Sequence, residues 1–99
     1  MNEQEGAKAM NEQIEWGTTL VIASAGHVWV AKSITFDGMF YHLHNARTVR
    51  RWGTTEGLNE LVRGPTKETV LDAPAPLVTV VPVAMIALIP CSEGCWPDW

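Results

Sequence analysis

The apolar and polar positions of this chain alternate in short runs, bounded by turn residues. Residues 18–24 (TTLVIAS) are β-branched and apolar and predict a strand. Ala25-Gly26 is a turn signal, because glycine adopts positive φ without strain. Residues 27–34 (HVWVAKSI) predict the partner strand. Its alternation places Val28, Val30 and Lys32 on one face and Trp29, Ala31 and Ser33 on the other. Asp37-Gly38 between Phe36 and Phe40 is the strongest hairpin signal in the chain. A further strand follows over about 39–46, and Gly53 ends it if it continues. Strict alternation there sets Tyr41, Leu43, Asn45 and Arg47 on one face and His42, His44 and Ala46 on the other.

Residues 55–63 predict one short helix, with Leu58, Leu61 and Val62 at i, i+3, i+4. Thr54 or Thr55 can cap its start, and Gly64-Pro65 stops it. Ala73-Pro74-Ala75-Pro76 is too proline-rich for a central strand. Residues 77–81 and 83–89 then read as apolar strands parted by Pro82. The second is apolar on both faces, which predicts a central or interfacial position. Residues 92–99 read as a tail. The expected fold is mainly β (α+β): a small antiparallel sheet or partly open barrel of about five to six strands with one short helix.

At 99 residues the chain is one domain, small enough that oligomerisation would add stability. Residues 1–16 hold Glu3, Glu5, Glu12 and Glu15 against Lys8, and read as a flexible acidic arm before a single β-rich domain at 17–99. The domain itself is almost neutral, although the whole chain carries −4. That balance argues against duplex DNA, whose binders present a basic surface. It leaves room for a small anion held by a few arginines. The arm has no apolar core of the signal-peptide kind, and the longest apolar run falls short of the ~20 residues that cross a bilayer. The expectation is a soluble cytoplasmic protein with Cys91 and Cys95 reduced and no membrane partner.

Candidate chemistry is sparse. His42 and His44, with His27, have a workable zinc spacing. No cysteine or carboxylate follows at a usual offset, so a polar solvent face is the preferred reading and no metal is expected. Cys91 and Cys95 lack the C-x-x-C spacing. There is no G-x-S-x-G elbow, no phosphate loop and no dinucleotide fingerprint. The chain reads as a binding protein rather than an enzyme, without a cofactor. Its informative feature is the cluster Arg47, Arg50, Arg51 and Trp52, with Asn45 just before it. Guanidinium groups fit phosphate bidentately, an aromatic ring stacks a base, and Asn reads a base edge or a ribose hydroxyl. The competing reading is a solvated basic edge that guards a strand against aggregation.

The order of short motifs resembles a family of short, uncharacterised phage-encoded β proteins. The pieces are Ser24-Ala25-Gly26 with His27, Asp37-Gly38, Asn45-Ala46-Arg47, Trp52-Gly53, Leu58-x-Glu60, Gly64 and Ile89-Pro90-Cys91-Ser92-Glu93. They span about residues 18–95. The chain departs from the pattern where His27 follows Gly26 directly and where Thr48 replaces a frequent arginine. Such proteins are associated with counter-defence. The resemblance implies a sponge that sequesters the cyclic nucleotide signals of bacterial immunity, of the CBASS or Thoeris type, in the host cytoplasm. It implies a homo-oligomer, dimer or tetramer, with sites between subunits. In that reading Arg47, Arg50 and Arg51 meet phosphates, and Trp52 or Tyr41 stacks a base. Gly26 admits backbone N–H groups, and Ser24 and His27 add hydrogen bonds. The alternative is a protein–protein inhibitor of anti-CRISPR-like kind that uses the acidic arm and Trp96/Trp99 as its contact surface.

Overall fold

The structure, a computed structural model, describes residues 14–55, 57–97 and 99. Most of the acidic arm therefore lies outside the described residues. Its last three residues, Ile14–Trp16, form strand β1. Six further strands follow: β2 (Thr19–Ala23), β3 (His27–Phe36), β4 (Tyr41–Arg51), β5 (Val70–Leu71), β6 (Ala75–Val80) and β7 (Met85–Pro90). They form an antiparallel sheet of six strands, or seven with the two-residue β5. The sheet is not closed into a barrel. Its order is β7, β2, β3, β4, with β6 and β5 end to end on the outer edge of β4 and β1 continuing the β2 edge of β3.

The two hairpin turns form where the sequence supplies positive φ. Ala25 (φ 64) and Gly26 (φ 78) carry the tight turn from β2 to β3. At the β3–β4 hairpin Gly38 has φ 92, and the Asp37 carboxylate accepts from the N–H groups of Met39 (2.8 Å) and Phe40 (2.7 Å). The expected helix is a 3-10 helix confined to Leu58–Arg63. Gly57 (φ 104) and Gly64 (φ 109) bracket it, so six residues remain, a length that the tighter winding suits. A 3-10 turn, Pro82–Ala84, links β6 to β7.

The sheet has two cores, one on each face. Leu20, Val28, Val30, Val49, Leu61 and Trp96 form the first, covered by the 3-10 helix and the C-terminal tail. Val21, Ala31, Ile34, Leu43, Ala46 and Val80 form the second, which the curled sheet encloses. Of the two places expected for β7, the central one does not hold. The strand pairs with β2 alone and is an edge strand. Its two-sided apolarity reflects both cores: Ile89 packs on the first, Met85 and Leu88 on the second. Pro76 likewise lies in an edge strand, β6, where a missing N–H costs least.

Strict alternation fails once along β4. Leu43 and Ala46 share the second core although they are three residues apart. Between them Asn45 adopts φ 51, the left-handed region that Asn tolerates better than most residues. The opposing strand shifts in step, since Ala31 and Ile34 also share that core while the β3–β4 register stays unbroken. Arg47 therefore points away from the face of Tyr41 and Leu43 that regular pleating assigned to it.

Candidate functional site

The sequence reading groups nine residues, and the fold divides them among three places. Ser24, Gly26 and His27 form the exposed β2–β3 turn. The β3–β4 pairing runs as far as Trp29↔Thr48, two residues short of His27 and Arg50. The turn and the basic end of β4 thus share one end of the sheet. His27 stacks on Trp29 there, with ring centroids 5.4 Å apart and planes 6° from parallel. Arg50 and Arg51 are exposed, and Trp52 is 43% exposed.

Tyr41 stands at the opposite end. Nine residues of strand separate it from Arg50, on the order of 30 Å along the chain. Its ring packs on Phe36 beside the hairpin, with centroids 4.6 Å apart. The fold does not bring Tyr41 to the arginines.

Asn45 and Arg47 occupy the middle of β4. The Asn45 carbonyl accepts the indole N–H of Trp99 at 2.7 Å. Arg47 is half-buried and donates Nε–H to the backbone carbonyl of Asp72 at 2.6 Å. Its guanidinium lies 5.9 Å from the Trp99 ring centroid, and the Lys32 ammonium lies 5.4 Å from it. The Asp72 carboxylate meets Arg50 at 2.6 Å. A single residue beside β4 therefore holds two of the three arginines, one by its backbone and one by its side chain. Arg47 is therefore not the solvated edge of the competing reading: it is half-buried and packed within the chain. Arg50 keeps an exposed guanidinium despite its partner, and Arg51 extends beyond Val70, its register neighbour.

The tail was legible as tryptophan-rich and not as part of the core. Trp96 is 7% exposed and donates its N–H to the Leu61 carbonyl at 2.8 Å. Trp99 meets it edge-on, with centroids 6.3 Å apart. Both rings make contacts within the chain, and Trp99 stays partly exposed. The signal was their number, since each buried indole N–H needs an acceptor.

The histidines of β4 make short-range polar contacts. His42 Nε2 lies 2.8 Å from the Asp37 carboxylate, and its Nδ1 lies 3.2 Å from the Thr79 hydroxyl. His44 Nε2 lies 2.9 Å from the Thr35 hydroxyl. The hydrogen bond from His42, with those from Phe40 and Met39, pulls the Asp37 carboxyl down to about 2. No group of three or more His, Cys, Asp or Glu gathers to hold a metal among the described residues. No helix is long and apolar enough to cross a membrane among them. Cys91 and Cys95 are free thiols; burial pushes the Cys91 thiol up.

Hollows among the described residues include the following three. A broad depression of about 580 Å³ lies between the 3-10 helix and β7, against Arg63 and Ile89. Another of about 410 Å³ lies between Gly17 and Glu93. A small one of about 80 Å³ is lined by Trp16, Ile34, Phe36, Tyr41 and Leu88. Of the nine expected site residues, only Tyr41 lines any of these three. No family model, no curated protein and no solved structure matches the chain.

Proposed function

We propose that the protein binds a phosphate-bearing nucleotide at the turn end of its sheet and holds it without turnover. The observation that supports this reading is the antiparallel β3–β4 pairing, which puts the β2–β3 turn and the exposed Arg50, Arg51 and Trp52 at one end of the sheet. Two guanidinium groups meet phosphate, the Trp52 face stacks a base, and Gly26 lets backbone N–H groups approach. A single small sheet offers little concavity, and in this reading the pocket lies between two copies of the chain. Joined to the motif resemblance, the reading is a homo-oligomeric phage sponge in the host cytoplasm. It takes a cyclic nucleotide immune signal out of circulation. Asn45, Arg47 and Tyr41 leave the ligand set: the first two dock the tail and Asp72, and the third is remote.

The test is a thermal-shift screen of purified protein against cyclic di- and trinucleotides and cyclic ADP-ribose isomers. A ligand at 100 times its Kd adds about 2.7 kcal/mol, a shift of several degrees at this size. The expected result is a selective shift, intact ligand on denaturation, and loss of the shift in Arg51→Ala/Trp52→Ala. A flat panel, or a ligand recovered cleaved, would overturn the proposal.

A further inference from the structure

The small hollow at the hairpin end has a composition unlike the rest of the surface. Three aromatic rings from three strands form its walls: Trp16 of β1, Phe36 of β3 and Tyr41 of β4. The pairing explains their convergence. Trp16 is opposite Ile34, and Phe36 is opposite Tyr41, so adjacent strands present the rings to one side. Phe36 and Tyr41 meet at 39°, as two walls of a corner rather than a flat stack. Ile34 and Leu88 close the floor. The three ring residues are half-buried, so the space is neither sealed core nor open surface. Its volume of about 80 Å³ is far below the ~300 Å³ of ordinary ligand pockets, which limits an occupant to a headgroup.

Charge selects the kind of headgroup. Among the described residues no basic side chain lines the hollow. Aromatic faces carry negative quadrupole density and attract a cation within about 6 Å of the centroid. A methylated ammonium adds apolar surface that an aromatic corner desolvates at little cost, whereas a bare ammonium keeps its water. We infer that the Trp16–Phe36–Tyr41 corner is a binding site for a methylated ammonium headgroup. This site is separate from the nucleotide reading and does not rest on it.

The experiment uses the full chain with tetramethylammonium and choline as probes, and 3,3-dimethylbutan-1-ol as the neutral isostere of choline. Saturation-transfer NMR reads contact with the ring protons, and a titration reads affinity. Both cations should bind at the aromatic corner, with their methyl signals shifted upfield by the rings, and the neutral isostere should bind at least tenfold more weakly. Tyr41→Phe should keep binding and Tyr41→Leu should lose it by tenfold or more, with an unchanged amide spectrum for each. The Arg51→Ala/Trp52→Ala variant should bind choline as the parent does, which separates this site from the turn end. Equal binding of the neutral isostere would show an apolar hollow only and overturn the inference. So would no binding of either cation, or full retention in Tyr41→Leu. If Tyr41→Leu fails to fold, the isostere comparison on the parent chain still decides.

Discussion

Trp99 donates its indole N–H to the carbonyl of Asn45 at 2.7 Å, so the end of the described chain is fastened to the one residue where β4 breaks its alternation. The left-handed turn of Asn45 swings Ala46 into the inner core and sends Arg47 to the outer face, where Trp99 lies against it. Trp96 extends the same contact by burying its ring over Leu61. The tail is thus a lid over the outer core. Trp96→Ala should cost about 3–5 kcal/mol, in line with large-to-small core changes. Trp99→Ala should cost less, about 1–2 kcal/mol, since its ring is only partly covered and its main losses are one hydrogen bond and two cation contacts. Urea denaturation followed by far-ultraviolet circular dichroism measures both. Equal costs would mean that the tail does not pack as a graded lid.

Arg47 and Arg51 should behave oppositely. Arg47 bridges Trp99 and the Asp72 carbonyl, so Arg47→Ala should lower stability by about 1–2 kcal/mol. Arg51 is exposed at the end of β4, so Arg51→Ala should change stability by no more than about 0.5 kcal/mol. If the turn end binds nucleotide, ligand-induced stabilisation disappears in Arg51→Ala while the melting temperature of the free protein stays put. Denaturation midpoints with and without ligand check the pair. A silent Arg47→Ala would remove the structural role assigned to it.

The strands of this fold were legible because their signals are local. Period-two alternation, Ala25-Gly26 and Asp37-Gly38 each act within a few residues, and the structure forms turns at both places. The mainly β class followed from them. What failed depended on contacts remote in sequence. Ile14–Trp16 read as part of a solvated arm because its partner, residues 34–36, lies about twenty residues away. The single-residue switch at Asn45 leaves no trace in a pattern of apolar and polar letters, and it reverses the face of every later residue in β4. The clasp of Asp72 on Arg47 and Arg50 spans more than twenty residues and makes part of a ligand-like cluster structural. The aromatic corner needed three strands to be laid side by side before its residues met.

The Asp37–His42 pair gives the hairpin a pH signature. Asp37 titrates at about 2 instead of the ordinary 3.8, chiefly because His42 hydrogen-bonds its ionised form. A depressed carboxyl contributes stability that is present above its unfolded value and lost as pH falls through the folded one. The hairpin contribution should therefore be complete above about pH 4 and disappear between about pH 4 and 2. In His42→Ala the Asp37 midpoint should rise toward 3.8, held down only by the Phe40 and Met39 N–H groups. A carbon-detected NMR titration of the carboxyl resolves the difference. An unmoved midpoint in the variant would assign the shift to the backbone donors alone.

The two thiols should separate by reactivity. Cys91 follows the end of β7, half-buried against the outer core, and burial disfavours its thiolate. Cys95 is exposed in the segment that leads to Trp96. Since the thiolate is the attacking species, a disulfide reagent near pH 8 should modify Cys95 quickly and Cys91 slowly, giving two phases of equal amplitude. Urea below the unfolding midpoint should accelerate the slow phase in step with local opening, because Ser92 is tied to the 3-10 helix through the Val62 carbonyl at 2.9 Å. Trp96→Ala loosens the same lid, so it should speed the Cys91 phase and leave that of Cys95 nearly unchanged. One fast phase of double amplitude in the parent protein would mean that the outer core does not shield Cys91. The lid assigned to the tryptophan tail would then have to be abandoned.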